Sequence, residues 1–238
     1  MVYRIYAEKK PELAHEAAGL TAELQTFLQI EGLESVRLIN RYDVEPGKPY
    51  LDLLKVLDDK DYFVITTNVD HQFQLAGFDK TRLFYTQGDY GLFQCSRNCS
   101  NKTYDNEEQI HKMVAEQKGM KIPESLLPKC PDCGAPLVPN LRVDGSFCED
   151  AGWHAACNRY QNFREEHESG KVLYLELGVG NNTPAIIKYP FWDAVKSNSE
   201  ATYACVNRGE ACSPRAIADR SILIDGDIGT IISASLHR

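Results

Sequence analysis

Four cysteines in two closely spaced pairs constrain this chain more than any other feature of its sequence. Cys95 and Cys99 have three residues between them, and Cys130 and Cys133 have two, within the run CPDCG. Two such pairs can bring four thiolates to one tetrahedral zinc ion, with no position left open for a substrate. The spacing therefore predicts a structural zinc site, with four unrelated buried thiols as the alternative.

The remaining composition favours metal-binding thiols over disulfides. The chain has 238 residues, eight of them cysteine, and a formal net charge of −8. Its first residues, MVYRIYAEKK, are typical of a strand and not of a signal peptide, and no apolar run approaches the ~20 residues of a membrane span. We therefore expect a cytoplasmic protein with reduced thiols and no membrane partner. The acidic balance argues against nucleic acid as a partner, because clustered Lys and Arg supply most of that affinity.

Residues 1–45 are expected to form a small β-α-β appendage. Val2 to Tyr6 alternates like a strand, Pro11 begins an amphipathic helix, and Glu34 to Tyr42 returns as a strand. The segments VYRIYAEKKPEL and VRLINRYDVE resemble the amino terminus of bacterial phosphoribosylformylglycinamidine synthases. The resemblance covers none of that family's ATP-binding or glutaminase parts, so it implies a folded appendage and no role in purine synthesis.

Four apolar segments that end in glycine or polar residues predict a parallel sheet covered on both faces. They are separated by connectors of helix length and span residues 61–67, 171–177, 201–206 and 221–224. An amphipathic helix is expected at 50–58, a helix or turn followed by a short strand within Leu75–Tyr85, and an acidic helix at 106–118.

Composition divides the rest of the chain into two further domains. Residues 46–85 and 171–238 carry the apolar strands and are expected to form a Rossmann-like α/β domain. Residues 86–170 have fewer apolar runs and carry the cysteine pairs, so we expect a small zinc-binding domain inserted between the two segments.

Glycine and polar residues follow three of the predicted strands. Gly178 and Gly180 come after KVLYLEL, Asn207 follows ATYACV, and Asp225-Gly226-Asp227 follows SILI. The carboxyl ends of parallel strands meet at one edge of a sheet, which is where such sheets bind ligands. A glycine turn there could let a dinucleotide's phosphate or ribose approach the backbone, although glycines after strands are common. Together the three strand ends favour a nucleotide site.

Several longer motifs resemble the sirtuins, which are NAD-dependent protein deacylases and ADP-ribosyltransferases with a Rossmann-type domain and a zinc-ribbon domain. They are TTNVDH, YTQGDYGLFQC, LELGVGNNTPAIIKYPFW, YACVN and IDGDIG, together with the cysteine pairs. The resemblance covers about residues 41–238 and is greatest to the bacterial class associated with macrodomain and lipoate-carrier operons. It implies NAD and zinc as cofactors, a lipoylated carrier protein as the acceptor substrate, and a macrodomain partner.

The resemblance also implies roles for individual residues. Asn68 and Asp70 match a pair that binds the nicotinamide end of NAD and orders its ribose, and Asn68 and Gln87 are the implied catalytic residues. The implied cofactor-binding residues are Thr67, Asn68, Asp70, Gly178, Val179, Gly180, Asn207, Asp227 and Ile228, and the implied zinc ligands are Cys95, Cys99, Cys130 and Cys133.

Gln87 stands where most sirtuins have a histidine that acts as a base on the ribose hydroxyls. A glutamine can orient a hydroxyl but cannot accept its proton, and a positioned general base is worth about 10²–10⁴ in rate. The substitution therefore favours ADP-ribosyl transfer over deacetylation. The alternatives are that Asn68 only caps a turn and that Gln87 is a surface residue.

Sirtuins begin with a strand and a glycine-rich GAGxS-type loop that cradles the NAD phosphates, and residues 1–50 supply neither. We therefore expect an incomplete Rossmann-like parallel sheet, with the appendage as a fusion. The expected function is a truncated sirtuin-like NAD-dependent ADP-ribosyltransferase or deacylase of reduced or no activity. The alternative is a non-catalytic, zinc-stapled protein-interaction module.

Overall fold

The computed structural model describes residues 3–8, 18, 21–22, 39–44, 47–180 and 184–236. The chain divides into two compact units, Met1–Pro46 and Gly47–Arg238. In the first unit, strands β1 (Tyr3–Glu8) and β2 (Ile39–Val44) pair antiparallel, and residues 18, 21 and 22 are helical. The remainder of the helix expected from Pro11, and the beginning of the strand expected from Glu34, lie outside the described residues.

The second unit alternates strands and helices around an antiparallel insertion. Its elements are α1 (Lys48–Val56), β3 (Val64–Thr66), α2 (Gln72–Leu75), β4 (Leu83–Tyr85), β5 (Gly88–Cys95), β6 (Thr103–Asp105), α3 (Glu107–Glu116), β7 (Leu137–Leu141), α4 (Ala151–Glu166), β8 (Leu173–Leu177), α5 (Lys188–Ser197), β9 (Thr202–Val206), β10 (Ser221–Ile224) and α6 (Ile228–Ser235). Short 3₁₀ turns occur at Lys80–Arg82, Glu124–Leu126 and Arg215–Arg220. None of the helices described here is both long and apolar enough to cross a membrane.

The parallel strands form two sheets instead of one. β3 pairs with β4, and β8, β9 and β10 form a second sheet in the order β10-β9-β8. In the second sheet Leu177 lies opposite Val206, and Val206 lies opposite Ile224, so the three carboxyl ends share one edge. Among the described residues no strand joins β3 to β8. The prediction of an incomplete, Rossmann-like parallel sheet is therefore confirmed.

One apolar cluster packs against both parallel sheets. Its buried members are Leu53 of α1, Ile232 of α6 and Phe78, and both Val64 of β3 and Leu175 of β8 pack against it. Burial of each such side chain contributes roughly 1.5–3 kcal/mol. The two sheets thus share a core although no backbone hydrogen bonds connect their described strands.

The insertion is a three-stranded antiparallel sheet in the order β6-β5-β7. Helix α4, the last element of the insertion, returns to β4, where Trp153 packs edge-to-face on Phe84 with ring centroids 5.1 Å apart. The Trp153 indole also donates to the Thr86 carbonyl oxygen over 3.3 Å. The insertion is therefore fastened to the strand that leads into it. The expected division of residues 46–238 into two domains stays a prediction.

A buried ion pair joins β8 to the beginning of α5. Lys188 Nζ lies 2.6 Å from Glu176 Oε1, and the two side chains are 1% and 0% exposed. The Tyr203 hydroxyl donates to the second carboxylate oxygen of Glu176. Burial disfavours the ammonium, but the hydrogen bond and charge of Glu176 outweigh it and raise the pKa of Lys188. The ion pair therefore joins β8 to α5 across the loop that contains Gly178.

We predict that Lys188→Met lowers the free energy of unfolding by about 3–5 kcal/mol, because it leaves an unpaired carboxylate in the core. The double variant Glu176→Gln/Lys188→Met should recover most of this loss, since glutamine is neutral and still accepts from Tyr203. Urea denaturation measures both. The exposed Lys196→Met on the same helix is the control, and equal stabilities for the two single lysine variants would contradict the prediction.

Candidate functional site

Thr66 and Thr86 connect the carboxyl ends of β3 and β4, which are followed by the predicted residues Asn68 and Gln87. The Thr86 backbone N–H donates to the Thr66 carbonyl oxygen over 3.0 Å, and the Thr86 hydroxyl donates to the same oxygen over 3.2 Å. Asn68 follows β3 and is exposed, whereas Gln87 follows β4, is half-buried and donates to Thr86 Oγ1 over 3.4 Å. The structure therefore places Asn68 and Gln87 just beyond two adjoining strand ends.

Tyr50 connects the side chains of Asn68 and Asp70. Its hydroxyl donates to Asp70 Oδ2 over 2.9 Å and accepts from Asn68 Nδ2 over 3.2 Å. Burial and the negative charge of Asp70 raise the pKa of Tyr50 to about 12, so the phenol stays protonated at neutral pH. The Asn68 side chain thus bonds to Tyr50, while Asp70 Oδ1 accepts from the Gln72 backbone N–H at the beginning of α2.

Sequence reasoning missed Tyr50. It is twenty residues from Asp70 and eighteen from Asn68, so no local pattern marks the contact. Its ring also packs edge-to-face on Phe73, with the centroids 4.8 Å apart. Thr67, another predicted residue, lies half-buried between Thr66 and Asn68.

The second group of predicted residues meets at the edge of the β8-β9-β10 sheet. The Gly178 backbone N–H donates to the Val206 carbonyl oxygen over 3.0 Å, and Asn207 Nδ2 donates to the Val179 carbonyl oxygen over 3.1 Å. Gly178 has a φ of 69°, and a Cβ there would lie 2.9 Å from Ile228 Cδ1. The backbone angle favours glycine at this turn, whereas the Ile228 side chain could shift to accept a Cβ. Gly180 follows and is half-buried.

Asp227 caps helix α6 next to this turn. Its Oδ1 accepts from the Thr230 backbone N–H over 2.9 Å and from the Thr230 hydroxyl over 3.0 Å. These bonds hold the pKa of Asp227 below its usual range. Arg208 donates to Asp227 Oδ2 over 3.3 Å. Asp227 is therefore ionised at neutral pH. One carboxylate oxygen accepts hydrogen bonds from the first turn of α6, and the other accepts one from the exposed Arg208.

The two groups border the same apolar cluster. Tyr50, which binds Asn68 and Asp70, and Ile228, which lies against Gly178, both pack on it. A cleft of about 510 Å³ opens between α1 and α6, and Asp227 is among the residues that line it. The predicted nicotinamide-end residues and the predicted Gly178 and Ile228 positions are thus carried by one core.

The four paired cysteines converge on one point. Cys95 Sγ lies 3.6 Å from Cys133 Sγ, Cys99 Sγ lies 3.6 Å from Cys130 Sγ, and all four sulfurs lie within 4.8 Å of one another. Four sulfurs around one zinc at about 2.3 Å are separated by about 3.8 Å. The cluster could therefore hold a zinc ion, and the β5–β7 pairing that sets Cys95 opposite Leu137 holds the two pairs together.

The chemistry of the donor set also fits a cation. Backbone N–H groups of Cys99 and Arg97 donate towards the Cys95 sulfur and lower the pKa of that thiol to about 6. The hydrogen bond with Cys133, followed by burial, raises the pKa of Cys99 to about 12. Four thiolates this close repel one another unless a metal ion neutralises them. A zinc ion would be held by all four and would stabilise the turns around them.

Comparisons with known sequences find relatives among ADP-ribosyltransferases. No family model matches the chain. It is 41% identical over 200 residues to the "Protein ADP-ribosyltransferase" of Staphylococcus aureus strain Mu50, covering 84% of this chain and 64% of that protein. It is 31% identical over 190 residues to a "Probable bifunctional ADP-ribose hydrolase/ADP-ribosyltransferase" of Fusarium oxysporum f. sp. cubense, covering 75% of this chain and 31% of that protein. The chain thus spans less than two thirds of either relative.

Solved structures show the same fold. A Sir2 structure with a p53 peptide and NAD⁺ superposes with a TM-score of 0.55 at 21% identity, covering 82% of this chain and 70% of that one. A Sir2 homologue in complex with NAD gives a TM-score of 0.55 at 20% identity, covering 81% and 64%. The chain is sirtuin-like in its fold. Its predicted sirtuin-type α/β architecture is thereby confirmed.

We predict that Cys133→Ser abolishes stoichiometric zinc binding and unfolds the β5-β6-β7 sheet. The binding free energy of structural zinc, about 10–16 kcal/mol in isolated fingers, is comparable with the net stability of a whole domain. Elemental analysis would measure the zinc content, and amide hydrogen exchange would measure protection in the three strands. The exposed Cys212→Ser, outside the cluster, is the control. One equivalent of zinc with unchanged protection in Cys133→Ser would rule out this metal site.

Proposed function

We propose that this chain binds NAD and transfers its ADP-ribose group to an acceptor side chain of a protein, at a reduced rate because residues 1–50 contain no GAGxS-type loop for the NAD phosphates. The observation that carries the proposal is the Asn68–Tyr50–Asp70 network just past β3, beside Gln87 just past β4. This network lies in a sirtuin-like fold, and a relative 41% identical over 200 residues is named a protein ADP-ribosyltransferase.

The residues present suit the two ends of a dinucleotide. Asn68 is exposed and offers amide and carbonyl groups to the nicotinamide end, while Asp70 is kept in place by Tyr50. At the other sheet edge, the Gly178–Gly180 turn brings backbone close to Ile228, where ribose or adenine would lie. Asn207 fixes that turn through the Val179 carbonyl oxygen.

ADP-ribosyl transfer agrees with the absence of a titrating group at position 87. The reaction breaks the bond between the ribose and nicotinamide, which leaves as the neutral molecule, and forms a bond from the ribose to the acceptor's nucleophilic atom, whose proton passes to water. Because the nicotinamide leaves from an already activated position, the protein's main contribution is positioning of the two reactants. Gln87 can orient a ribose hydroxyl or a water molecule without accepting a proton.

A protein acceptor is supported by the Sir2 structures, which are described as complexes with a p53 peptide and with an acetylated peptide. We further propose a lipoylated carrier protein as the acceptor and a macrodomain protein as the partner. The motifs that resemble the bacterial class linked to macrodomains support this. The Fusarium relative is named as both an ADP-ribose hydrolase and an ADP-ribosyltransferase. This agrees with a partner that removes the ADP-ribose that the transferase attaches.

A non-catalytic interaction module is the second candidate, and one observation favours it. Large apolar side chains are exposed in the insertion, including Val114 at 67%, Met120 at 71% and Leu127 at 53%. Exposed apolar patches often mark protein-binding surfaces. The two candidates differ in whether the zinc-loaded chain binds NAD.

We predict that Asn68→Ala abolishes NAD-dependent labelling of the acceptor, with a loss of roughly 10²-fold or more, since misplacing a reactant costs that much. Incorporation of labelled ADP-ribose from NAD into a lipoylated carrier protein measures it. The matched control is Asn162→Ala, which changes an exposed asparagine on α4 and should label like the wild-type protein. Labelling that persists unchanged in Asn68→Ala would refute the assignment of this site.

A further inference from the structure

A buried carboxylate beside Gln87 binds the segment that carries Asn68. Asp89, at the beginning of β5, is 3% exposed. Its Oδ1 lies 2.7 Å from His71 Nδ1 and accepts from the Gly91 backbone N–H over 2.7 Å, while its Oδ2 accepts from Gln74 Nε2 over 2.6 Å. A buried carboxylate with three such partners is fixed in one orientation.

We propose that His71 and Asp89 form a positioning pair that fixes the Asn68–Asp70 segment against the Gln87 turn. The pair thereby sets the geometry of ADP-ribosyl transfer, so this inference rests on the proposed function. His71 is three residues after Asn68, and Asp89 is two residues after Gln87. His71 therefore lies beside the Asn68–Asp70 segment and Asp89 beside the Gln87 turn. A bond between them would fix the distance between those two segments.

The backbone supports the same connection. The Tyr90 backbone N–H, which follows Asp89 in the chain, donates to the Val69 carbonyl oxygen of the Asn68–Asp70 segment over 2.8 Å. Asp89 itself pairs with Asn140 of β7, so its own strand is anchored in the antiparallel sheet. By contrast, Asn68 and Asp70 are exposed. The rigid partner is β5, and the residues that need positioning are those of the 68–71 segment.

The backbone conformation of His71 indicates that the surrounding contacts hold it in place. His71 has a φ of 59°, in the left-handed region that few non-glycine residues adopt. Such conformations persist where the surroundings over-determine them, and they cluster at functional sites. Gly91 leaves room for the ring, because a Cβ at Gly91 would lie 2.4 Å from His71 Nδ1. The imidazole is therefore held between its own strained backbone, Asp89 and the surface of β5.

The pair carries a titrating charge next to a site whose Gln87 has none. Asp89 on β5 faces His71 directly, Lys80 and Asp105 also act on it, and Asp70 precedes it in the chain. The hydrogen bond and charge of Asp89 raise the pKa of His71, against the effects of partial burial and Lys80. A neutral imidazole that carries its proton on Nδ1 still donates to Asp89, but without the ionic attraction.

This pKa direction predicts how stability depends on pH. Because the folded-state pKa of His71 is raised above its unfolded value of about 6.5, the ion pair stabilises the fold fully below about pH 6.5. The contribution disappears as the pH rises through the folded-state pKa. The difference in urea midpoint between wild type and His71→Asn should therefore be largest at about pH 5.5 to 6.5 and should shrink as the pH rises through the folded-state pKa. A difference that is constant with pH would contradict the ion pair.

Three variants test the positioning role. His71→Ala removes the bond to Asp89, and Gly91→Ala displaces the ring without changing any charge. His71→Asn keeps an N–H donor near the Nδ1 position and tolerates the left-handed backbone, but it cannot titrate. The control is His111→Ala, an exposed histidine on α3. The readouts are kcat and KM for NAD against pH, and hydrogen exchange of the Tyr90 and Gly91 amides.

We expect His71→Ala and Gly91→Ala to lower kcat by roughly 10- to 100-fold, with KM for NAD changed less, because misplacement acts on the reacting geometry. The Tyr90 and Gly91 amides should exchange about 10-fold faster, which corresponds to a loss of local stability. His71→Asn should restore kcat and amide protection while losing any pH dependence that the wild type shows as His71 titrates above about pH 6.5.

The outcomes separate this inference from the proposed function. If the wild type transfers ADP-ribose, Asn68→Ala does not, and His71→Ala matches wild type in kcat and exchange, then the positioning pair is refuted and the function stands. If the wild type neither binds NAD nor labels a protein, the proposed function is refuted. In that case the Tyr90 and Gly91 exchange rates alone decide whether the pair positions the segment.

Discussion

The double hydrogen bond from Thr86 to the Thr66 carbonyl oxygen is the constraint on which the candidate site depends. It holds the carboxyl ends of β3 and β4 side by side, so the residues that follow each strand start from fixed points. Asn68 and Asp70 are then secured by Tyr50, and the Gln87 turn is secured by Trp153 through Thr86. Open parallel sheets bind ligands at such strand ends because loops there can vary while the strands stay rigid.

Mostly buried contacts elsewhere in the unit hold the strand ends of the candidate site in place. The Leu53–Phe78–Ile232 cluster packs on both parallel sheets, so the residues beside Gly178 and those beside Asn68 share one core. The buried Glu176–Lys188 ion pair links the strand before Gly178 to the helix after it. In the insertion, where the sheet is short and its apolar core is small, a zinc ion held by the four cysteines would perform the same task. The ion pair and the cysteine cluster thus add specific polar contacts where apolar burial is limited.

Much of this architecture was predictable from the sequence, and the exceptions have physical causes. The strands at 173–177, 202–206 and 221–224 are continuous apolar runs, and the acidic helix found at Glu107–Glu116 has a clear periodic pattern. Strand β5 was not predicted because Gly88 and Asp89 interrupt its pattern, although its buried Phe93 and Cys95 fix its place. Helix α4 was missed because its contacts, such as Trp153 with Phe84, depend on residues far away in sequence.

The site itself divides in the same way. Cysteine spacing predicted that the four thiols converge, and the residues after the strands predicted the two candidate ligand-binding edges. Tyr50 and the His71–Asp89 pair lie eighteen to twenty residues from the groups they bind, so no local pattern could show them. The likeness of residues 1–45 to the synthase family stays a prediction.

Calorimetric titration of the zinc-loaded protein with NAD would show whether this chain has a dinucleotide site that depends on Asn68. We expect one binding site per chain with a Kd below about 1 mM, equivalent to more than about 4 kcal/mol of binding free energy, and a much weaker site in Asn68→Ala. No detectable binding at millimolar NAD, in protein that holds one equivalent of zinc and is fully folded, would contradict it.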